Sequence, residues 1–180
     1  MKPEYVVVLA FPILKNPLVD LDAWKLASGN TSVLLVEKDK PEWQKGRFNL
    51  PGGKIEEGES PEQAALREIF EEAGPIVTSS AMPVLMGSIQ GSWGKVYCLR
   101  VFADPSLPLT PQESETQKIF WGDWASIKDD PRLIPNLRVI IPMMMMGVKD
   151  WNIFDEGPSW GKDTHVIDIE VKNGWPKEEK

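Results

Sequence analysis

This chain of 180 residues has one cysteine, one histidine and no apolar run long enough to cross a membrane. Cys98 is the single cysteine, so no disulfide can form within the chain, and the simplest expectation is a reducing compartment, the cytoplasm. The one histidine, His165, lies on a predicted strand and is interpreted as structural. The apolar run near the N-terminus is too short and too strand-like to cross a membrane, and no clear cleavage site follows it.

Positive charge is also in short supply. Lysine and arginine number 20 against 27 acidic residues, which gives a net charge of −7. This balance argues against a nucleic-acid polymer or an anionic membrane as the partner, because both attract basic surfaces. The length and the 42% hydrophobic content indicate one globular domain, and we expect it to span residues 1–180 with a frayed tail at about 173–180. Monomer and homodimer both remain open.

Apolar runs are spaced as in a domain of mixed structure. Short strands interleaved with a few helices predict an α/β or α+β fold. We expect strands at residues 5–11, 32–37, 83–90, 95–103, 119–124, 151–154 and 164–171. Residues 91–94 are a predicted hairpin turn, and 136–146 are apolar enough for a buried helix. The irregular segment 12–30 is long enough to suggest that it covers a pocket.

The clearest local pattern lies in residues 53–75. Ser60 is a predicted N-cap, Pro61 suits the first turn of a helix, and Gly74 followed by Pro75 ends it. Three glutamates fall within an arc of roughly 100° on one side of this helix: Glu68, Glu71 and Glu72. Apolar side chains cover the other side, and we expect that side to be buried: Leu66, Ile69, Phe70 and Ala73.

This cluster of glutamates has an energetic cost. Like charges three or four residues apart destabilise an isolated helix by about 0.2–0.5 kcal/mol each. Mg²⁺ or Mn²⁺ would turn the repulsion into binding energy, since these ions take carboxylates, waters and substrate phosphates as ligands. The alternative is a solvated acidic face without a ligand. The turn Pro51-Gly52-Gly53 favours a ligand site, because glycine lets the backbone approach a ligand closely.

The pattern from Gly53 through Glu59 to the run REIFEEAG, residues 67–74, resembles the complete signature of the Nudix hydrolases. Every charged and glycine position of that signature is filled. Pro75 stands where the family has an aliphatic residue, a departure that concerns helix termination rather than chemistry. The resemblance implies an α/β/α sandwich with a mixed sheet, and metal-dependent hydrolysis of a nucleoside diphosphate linked to a further group.

Roles for individual residues follow from the same resemblance. Two or more Mg²⁺ ions would be held by four glutamates and one backbone carbonyl: Gly52, Glu68, Glu71, Glu72 and Glu113. The segment ESETQKIFW is similar to the one that supplies a metal-binding or proton-accepting glutamate in MutT-type triphosphatases. Glu113 is assigned that role, with Glu115 or a helix glutamate as the alternative. Arg67 and Glu59 are expected to form a salt bridge that orients the ligands.

Two asparagines are candidates for contacting the substrate. Asn49 stands two residues before the Gly-rich turn and can read a base edge, or it merely hydrogen-bonds the turn. Asn136 lies in a segment similar to the base-contacting stretch of those triphosphatases. Ile134 or Leu133 stands where purine-specific relatives have an aromatic residue.

The preferred substrate is therefore a purine nucleoside triphosphate, oxidised or not, cleaved to the monophosphate and pyrophosphate. ADP-ribose or a dinucleotide is the alternative within enzymes. From another class, a non-catalytic nucleotide sensor is the competing hypothesis. We also expect Trp121 and Trp124 to wall the site.

Overall fold

The computed structural model describes residues 2–12, 31–77, 82–112 and 117–154, and the backbone of 168–171. The strands in this part are β1 Glu4–Pro12, β2 Ser32–Glu37, β3 Phe48–Asn49, β4 Val84–Gly91, β5 Gly94–Ala103, β6 Lys118–Asp123, β7 Trp151–Phe154 and β8 Asp168–Val171. The α-helices are α1 Pro61–Ala73, α2 Trp124–Ile127 and α3 Leu137–Met145, with a 3₁₀ turn at Glu42–Gln44. In the described ranges no helix is long and apolar enough to cross a bilayer.

The strands form two sheets. The larger is mixed, with the order β1-β5-β4-β7-β8, in which β1–β5 and β4–β7 pair in parallel and the other pairs are antiparallel. The smaller is antiparallel, with the order β3-β2-β6. Gly91 pairs with Gly94, so Ser92 and Trp93 form the tip of the expected hairpin. The mixed sheet agrees with the predicted fold class.

Side chains of β1 enter two separate cores because successive residues of a strand face opposite sides. Val6 and Val8 pack with α1, whereas Leu9 and Phe11 pack with α3. Helices therefore cover both faces of the mixed sheet, as expected for a sandwich. Cys98 lies in the core that contains α3, where burial raises the pKa of its thiol and leaves it a small hydrophobe.

The bounds of α1 are those that its end residues predict. Ser60 Oγ accepts a hydrogen bond from the N–H of Gln63 at 3.2 Å, and Gln63 Oε1 accepts one from the N–H of Ser60 at 2.8 Å. This reciprocal capping box satisfies two backbone donors that a helix start leaves unpaired. At the other end Gly74 has a φ of 84°, which favours glycine, and its N–H donates to Phe70.

Two expectations are wrong, one about the buried side of α1 and one about the end of a strand. Phe70 is 54% exposed and does not belong to the buried side of α1, because one residue after Ile69 the helix has turned by about 100°. Small residues let α1 approach the sheet closely, and the buried apolar residues are Ala64, Ala65, Ile69 and Ala73. Trp124 does not end a strand; it begins α2, and its side chain is buried in the core with α3.

Several predicted segments lie outside the described residues. They are the long segment beyond Pro12, the acidic loop at 113–116, the start of the last strand with His165, and the tail.

Candidate active site

The Gly-rich turn is attached to β1 along the edge opposite β5. The N–H of Val8 donates to the carbonyl of Pro51 at 2.8 Å, and the N–H of Val6 donates to Gly53 at 2.9 Å. Gly52 has a φ of 146°, and a side-chain carbon there would collide with the carbonyl of Val6. Only glycine fits this close approach, which directs the N–H of Gly52 toward α1.

Glu72 is the most deeply buried of the three helix glutamates, with 5% of its surface exposed. Its Oε2 accepts a hydrogen bond from the N–H of Gly52 at 2.9 Å. Its Oε1 lies 3.6 Å from Nζ of Lys38. Since a buried carboxylate is costly unless it is paired, these contacts explain how the side chain is held inside. The expectation that all three glutamates project from an unburied side is therefore wrong for Glu72.

Arg67 ties α1 to the loop that precedes it. Its Nε donates to Glu59 Oε1 at 2.8 Å and its Nη2 donates to Glu59 Oε2 at 3.0 Å, so the predicted salt bridge is present and bidentate. Nη2 also donates to the carbonyl of Lys54 at 2.9 Å. Hydrogen bonding between the two side chains raises the pKa of Arg67 and lowers the pKa of Glu59.

The same guanidinium holds the two remaining helix glutamates. Nη1 of Arg67 donates to Glu68 Oε1 at 2.8 Å and to Glu71 Oε2 at 3.2 Å. Burial raises the pKa of Glu68 against the opposing effect of Arg67. A side-chain carbon at Gly53 would collide with the Glu68 carboxylate, so the second glycine of the turn leaves room for that group.

Negative charge is in excess around these contacts. Four carboxylates face two cationic side chains, Arg67 and Lys38. Within the ranges that the structure describes, no three acidic, histidine or cysteine side chains converge on one point that would hold an ion. The oxygen donors have the right chemistry for Mg²⁺ or Mn²⁺, and they fit such an ion if they exchange their present partners for it. Glu113 and Glu115 lie outside the described residues.

A cavity of about 490 Å³ opens beside the Gly-rich turn. Ligand pockets typically measure roughly 300–1,000 Å³. Gly52 and Gly53 line it, so the same two residues border the cavity and contact the acidic cluster. Its other walls come from β1, the β4–β5 hairpin, the segment after β2 and the start of α3: Tyr5, Val7, Lys38, Trp43, Gln44, Ile89, Trp93, Val96, Ile134 and Leu137.

Both candidate asparagines line this cavity. Asn49 donates from Nδ2 to Gln44 Oε1 at 3.1 Å, and its Oδ1 accepts from the N–H of Leu50 at 2.8 Å. It therefore links the residue before the turn to the 3₁₀ turn, and its amide retains one N–H and one lone pair beyond these bonds. Asn136 Oδ1 is buried and accepts no hydrogen bond from any described residue. The fold thus brings two amides, 87 positions apart in sequence, to one cavity.

The two tryptophans expected to wall the site, Trp121 and Trp124, do not line the cavity. Trp124 is buried in the core with α3, and Trp121 packs against the core with α1. Trp43 and Trp93 line the cavity instead. The position of Trp93 at a predicted hairpin tip and that of Trp43 in the polar segment before Asn49 were the only signals in the sequence. Ile134 lines the cavity, as one of the two aliphatic residues expected there.

Comparison with known proteins gives a consistent result. The family model for the NUDIX domain matches residues 19–143. The 8-oxo-dGTP diphosphatase of Proteus vulgaris is 38% identical over 53 residues, which are 29% of this chain and 47% of that protein. A MutT protein from Bacillus halodurans has a TM-score of 0.61 at 18% identity, covering 92% of this chain and 97% of its own. The NUDIX domain of Shewanella oneidensis NrtR, solved with ADP ribose, has a TM-score of 0.58 at 20% identity, covering 80% and 87%.

These matches differ in what they show. The chain spans between 26% and 47% of the length of the curated relatives it matches. At their low identity the solved structures show the fold alone. The family match, however, spans more than half of the chain and includes the Gly-rich turn, Glu59 and all of α1. The chain therefore belongs to the Nudix family of hydrolases.

Proposed function

We propose that this protein hydrolyses purine nucleoside triphosphates, with an oxidised purine preferred, to the monophosphate and pyrophosphate. The observation that carries the proposal is the shared position of Gly52 and Gly53, which line the cavity and also contact the glutamates of α1. A nucleotide with its base in the cavity would have its phosphates at the turn, beside the acidic cluster.

The cavity suits a flat, aromatic base. Trp43 and Trp93 line it together with aliphatic side chains such as Ile89 and Val96. Aromatic side chains stack on bases, and each such contact contributes about 1–3 kcal/mol in single-stranded nucleic-acid complexes. These two indoles would replace the aromatic residue that purine-specific relatives have where Ile134 stands.

Asn136 supports the preference for an oxidised base. A buried acceptor without a donor costs about 1–3 kcal/mol, so its buried Oδ1 favours a ligand that donates there. N7 of guanine is an acceptor. In 8-oxoguanine that nitrogen carries a hydrogen and becomes a donor, which a carbonyl oxygen can bind. The activity named for the relative from Proteus vulgaris agrees with this choice.

The catalytic roles rest on the acidic cluster. Phosphoryl transfer depends mainly on positioning and on charge stabilisation. Glu68, Glu71, Glu72 and the carbonyl of Gly52 would hold divalent cations, with Glu113 as a further ligand and proton acceptor. Such an ion, when bound, neutralises phosphate charge and lowers the pKa of a water.

Arg67 would keep Glu68 and Glu71 in place, since both already accept hydrogen bonds from its Nη1. Glu59 and the carbonyl of Lys54 in turn fix the guanidinium. The N–H of Gly52 orients Glu72 at the border of the cavity.

A substrate panel with Mg²⁺ tests the proposal. We expect pyrophosphate from dGTP and 8-oxo-dGTP, with a higher kcat/KM for the oxidised nucleotide. Asn136→Ala should lower kcat/KM for 8-oxo-dGTP by about 10- to 100-fold and reduce the discrimination against dGTP. Preferential cleavage of ADP-ribose or a dinucleotide would contradict the proposed substrate and support the alternative within the family. Nucleotide binding without turnover would support a sensor.

A further inference from the structure

Lys38 is a largely buried cation that the family signature does not contain. It follows β2 directly, its side chain is 12% exposed, and its Nζ lies 3.6 Å from Glu72 Oε1. Its backbone is fixed, because its N–H donates to the carbonyl of Arg47 at 2.9 Å and its carbonyl accepts from Gly46 at 2.8 Å. The side chain also lines the cavity. Lys38 therefore stands between the acidic cluster and the proposed nucleotide site.

The two cations of the cluster are held very differently. Arg67 makes five hydrogen bonds, two of them to one carboxylate as a fork. The Lys38 ammonium is 3.6 Å from Glu72 Oε1, beyond ordinary hydrogen-bond distance, so that contact is a charge interaction without fixed geometry. A lysine ammonium is a point charge on a flexible stem, whereas a guanidinium is a rigid fork. Lys38 is thus the cation that can move.

We propose that Lys38 is an exchangeable counter-ion of Glu72. A divalent ion bound by the acidic cluster would supply the positive charge that Glu72 now receives from Lys38, and it would repel the ammonium. The displaced side chain would then turn to the phosphates of a nucleotide in the cavity that it already lines. This proposal rests on the proposed function, because it requires a cation at Glu72.

The exchange predicts opposite effects of Lys38 on the binding of the divalent ion and on the binding of the nucleotide. While it neutralises Glu72, Lys38 competes with the divalent ion; after its displacement it helps to bind the polyphosphate. Removing its charge should therefore strengthen cation binding and weaken nucleotide binding. A lysine with a purely structural role would change both in the same direction or neither.

Binding of Mn²⁺ in the absence of nucleotide, followed by electron paramagnetic resonance, tests the expected effect on cation binding. We expect Lys38→Met to bind Mn²⁺ about three- to tenfold more tightly than the wild type. KM for 8-oxo-dGTP should rise by about tenfold, since one cation is lost from the phosphate site. Lys45→Met is the matched control, because Lys45 lies in the same segment but is exposed and pairs with exposed Glu42. It should leave both quantities unchanged.

Unchanged or weaker Mn²⁺ binding by a folded Lys38→Met variant would overturn the counter-ion role. Failure of the wild type to bind Mn²⁺ at all would instead overturn the proposed function. Should the variant not fold, acylation of Lys38 in the wild type, measured by mass spectrometry, replaces it. Mg²⁺ alone should speed the acylation, and a non-hydrolysable nucleoside triphosphate added with Mg²⁺ should slow it. A rate that does not respond to Mg²⁺ would overturn the proposal.

Discussion

At the scale of single residues, the site depends on how each carboxylate is held. Arg67 holds Glu59, Glu68 and Glu71 at once, whereas Glu72 accepts from a backbone N–H and lies 3.6 Å from the ammonium of Lys38. Truncating one of these side chains would leave another charge unpaired in a partly buried cluster. Substitutions that keep shape and remove charge are therefore the most informative.

Glu72→Gln should lower kcat by about three orders of magnitude and leave the fold intact. The glutamine oxygen can still accept from Gly52, but the negative charge that would bind a cation is gone. Steady-state kinetics at saturating Mg²⁺, with circular dichroism as the check on folding, measure this. Glu62→Gln, in the first turn of the same helix, is the control and should turn over normally. Wild-type kcat in Glu72→Gln would remove this glutamate from the proposed mechanism.

Glu59 gives a prediction about pH. Hydrogen bonds from Arg67 and from the N–H of Glu56 hold its pKa below the ordinary value of 4.5. The unfolded chain therefore binds this proton more readily, so the stabilisation is present above pH 4.5 and is lost as the pH falls through the lowered pKa. In urea unfolding, Glu59→Gln should be less stable than the wild type at neutral pH, with the difference shrinking as the pH falls below 4.5. A difference independent of pH would contradict the ion pair.

At the scale of elements, α1 and the turn before it carry the site as one unit. The capping box starts the helix, and Gly52 and Gly53 let the turn lie against both β1 and the helix glutamates. The position of the glutamates thus depends on local signals at one end and on a tertiary contact at the other.

Ser60→Ala should lower the free energy of unfolding by about 1 kcal/mol, because the N–H of Gln63 loses its acceptor. Urea unfolding at neutral pH measures the loss. Ser106→Ala, whose hydroxyl bonds an exposed loop carboxylate, is the control and should change stability less. Equal stability of Ser60→Ala and the wild type would show that the cap contributes nothing to α1.

Gly53→Ala should lose activity by at least about tenfold, because the added methyl group takes the place of the Glu68 carboxylate. Gly58→Ala is a contrasting control. Gly58 has open space around it but a φ of 86°, so the alanine variant should lose stability rather than activity. Melting temperatures and kcat of both variants separate the two effects. Full activity of Gly53→Ala would contradict the close packing of Glu68 against the turn.

Features set by local signals could be predicted from the sequence, whereas features set by tertiary contacts could not. The bounds of α1 come from Ser60, Pro61 and Gly74, which are local signals, and the acidic spacing identifies the family. The burial of Glu72 could not be predicted, because it requires the turn to pair with β1. The aromatic walls were missed for the same reason: Trp43 and Trp93 come from two segments that meet only in the folded chain.

At the scale of the whole molecule, the mixed sheet separates two cores and places the cavity beside the edge of β1 that carries the turn. Gly52 and Gly53 contact the acidic cluster and also line the cavity, so the two features adjoin at this turn. A net charge of −7 adds to the local excess of negative charge, so a polyphosphate substrate would require bound cations to approach. Activity should therefore depend on divalent ions.

Phosphorus NMR of 8-oxo-dGTP incubated with the protein and Mg²⁺ tests directly whether the acidic cluster supports metal-dependent release of pyrophosphate. We expect pyrophosphate and the nucleoside monophosphate in equal amounts, and no further product after EDTA is added. Orthophosphate with the nucleoside diphosphate, or hydrolysis that continues at the same rate in EDTA, would contradict it.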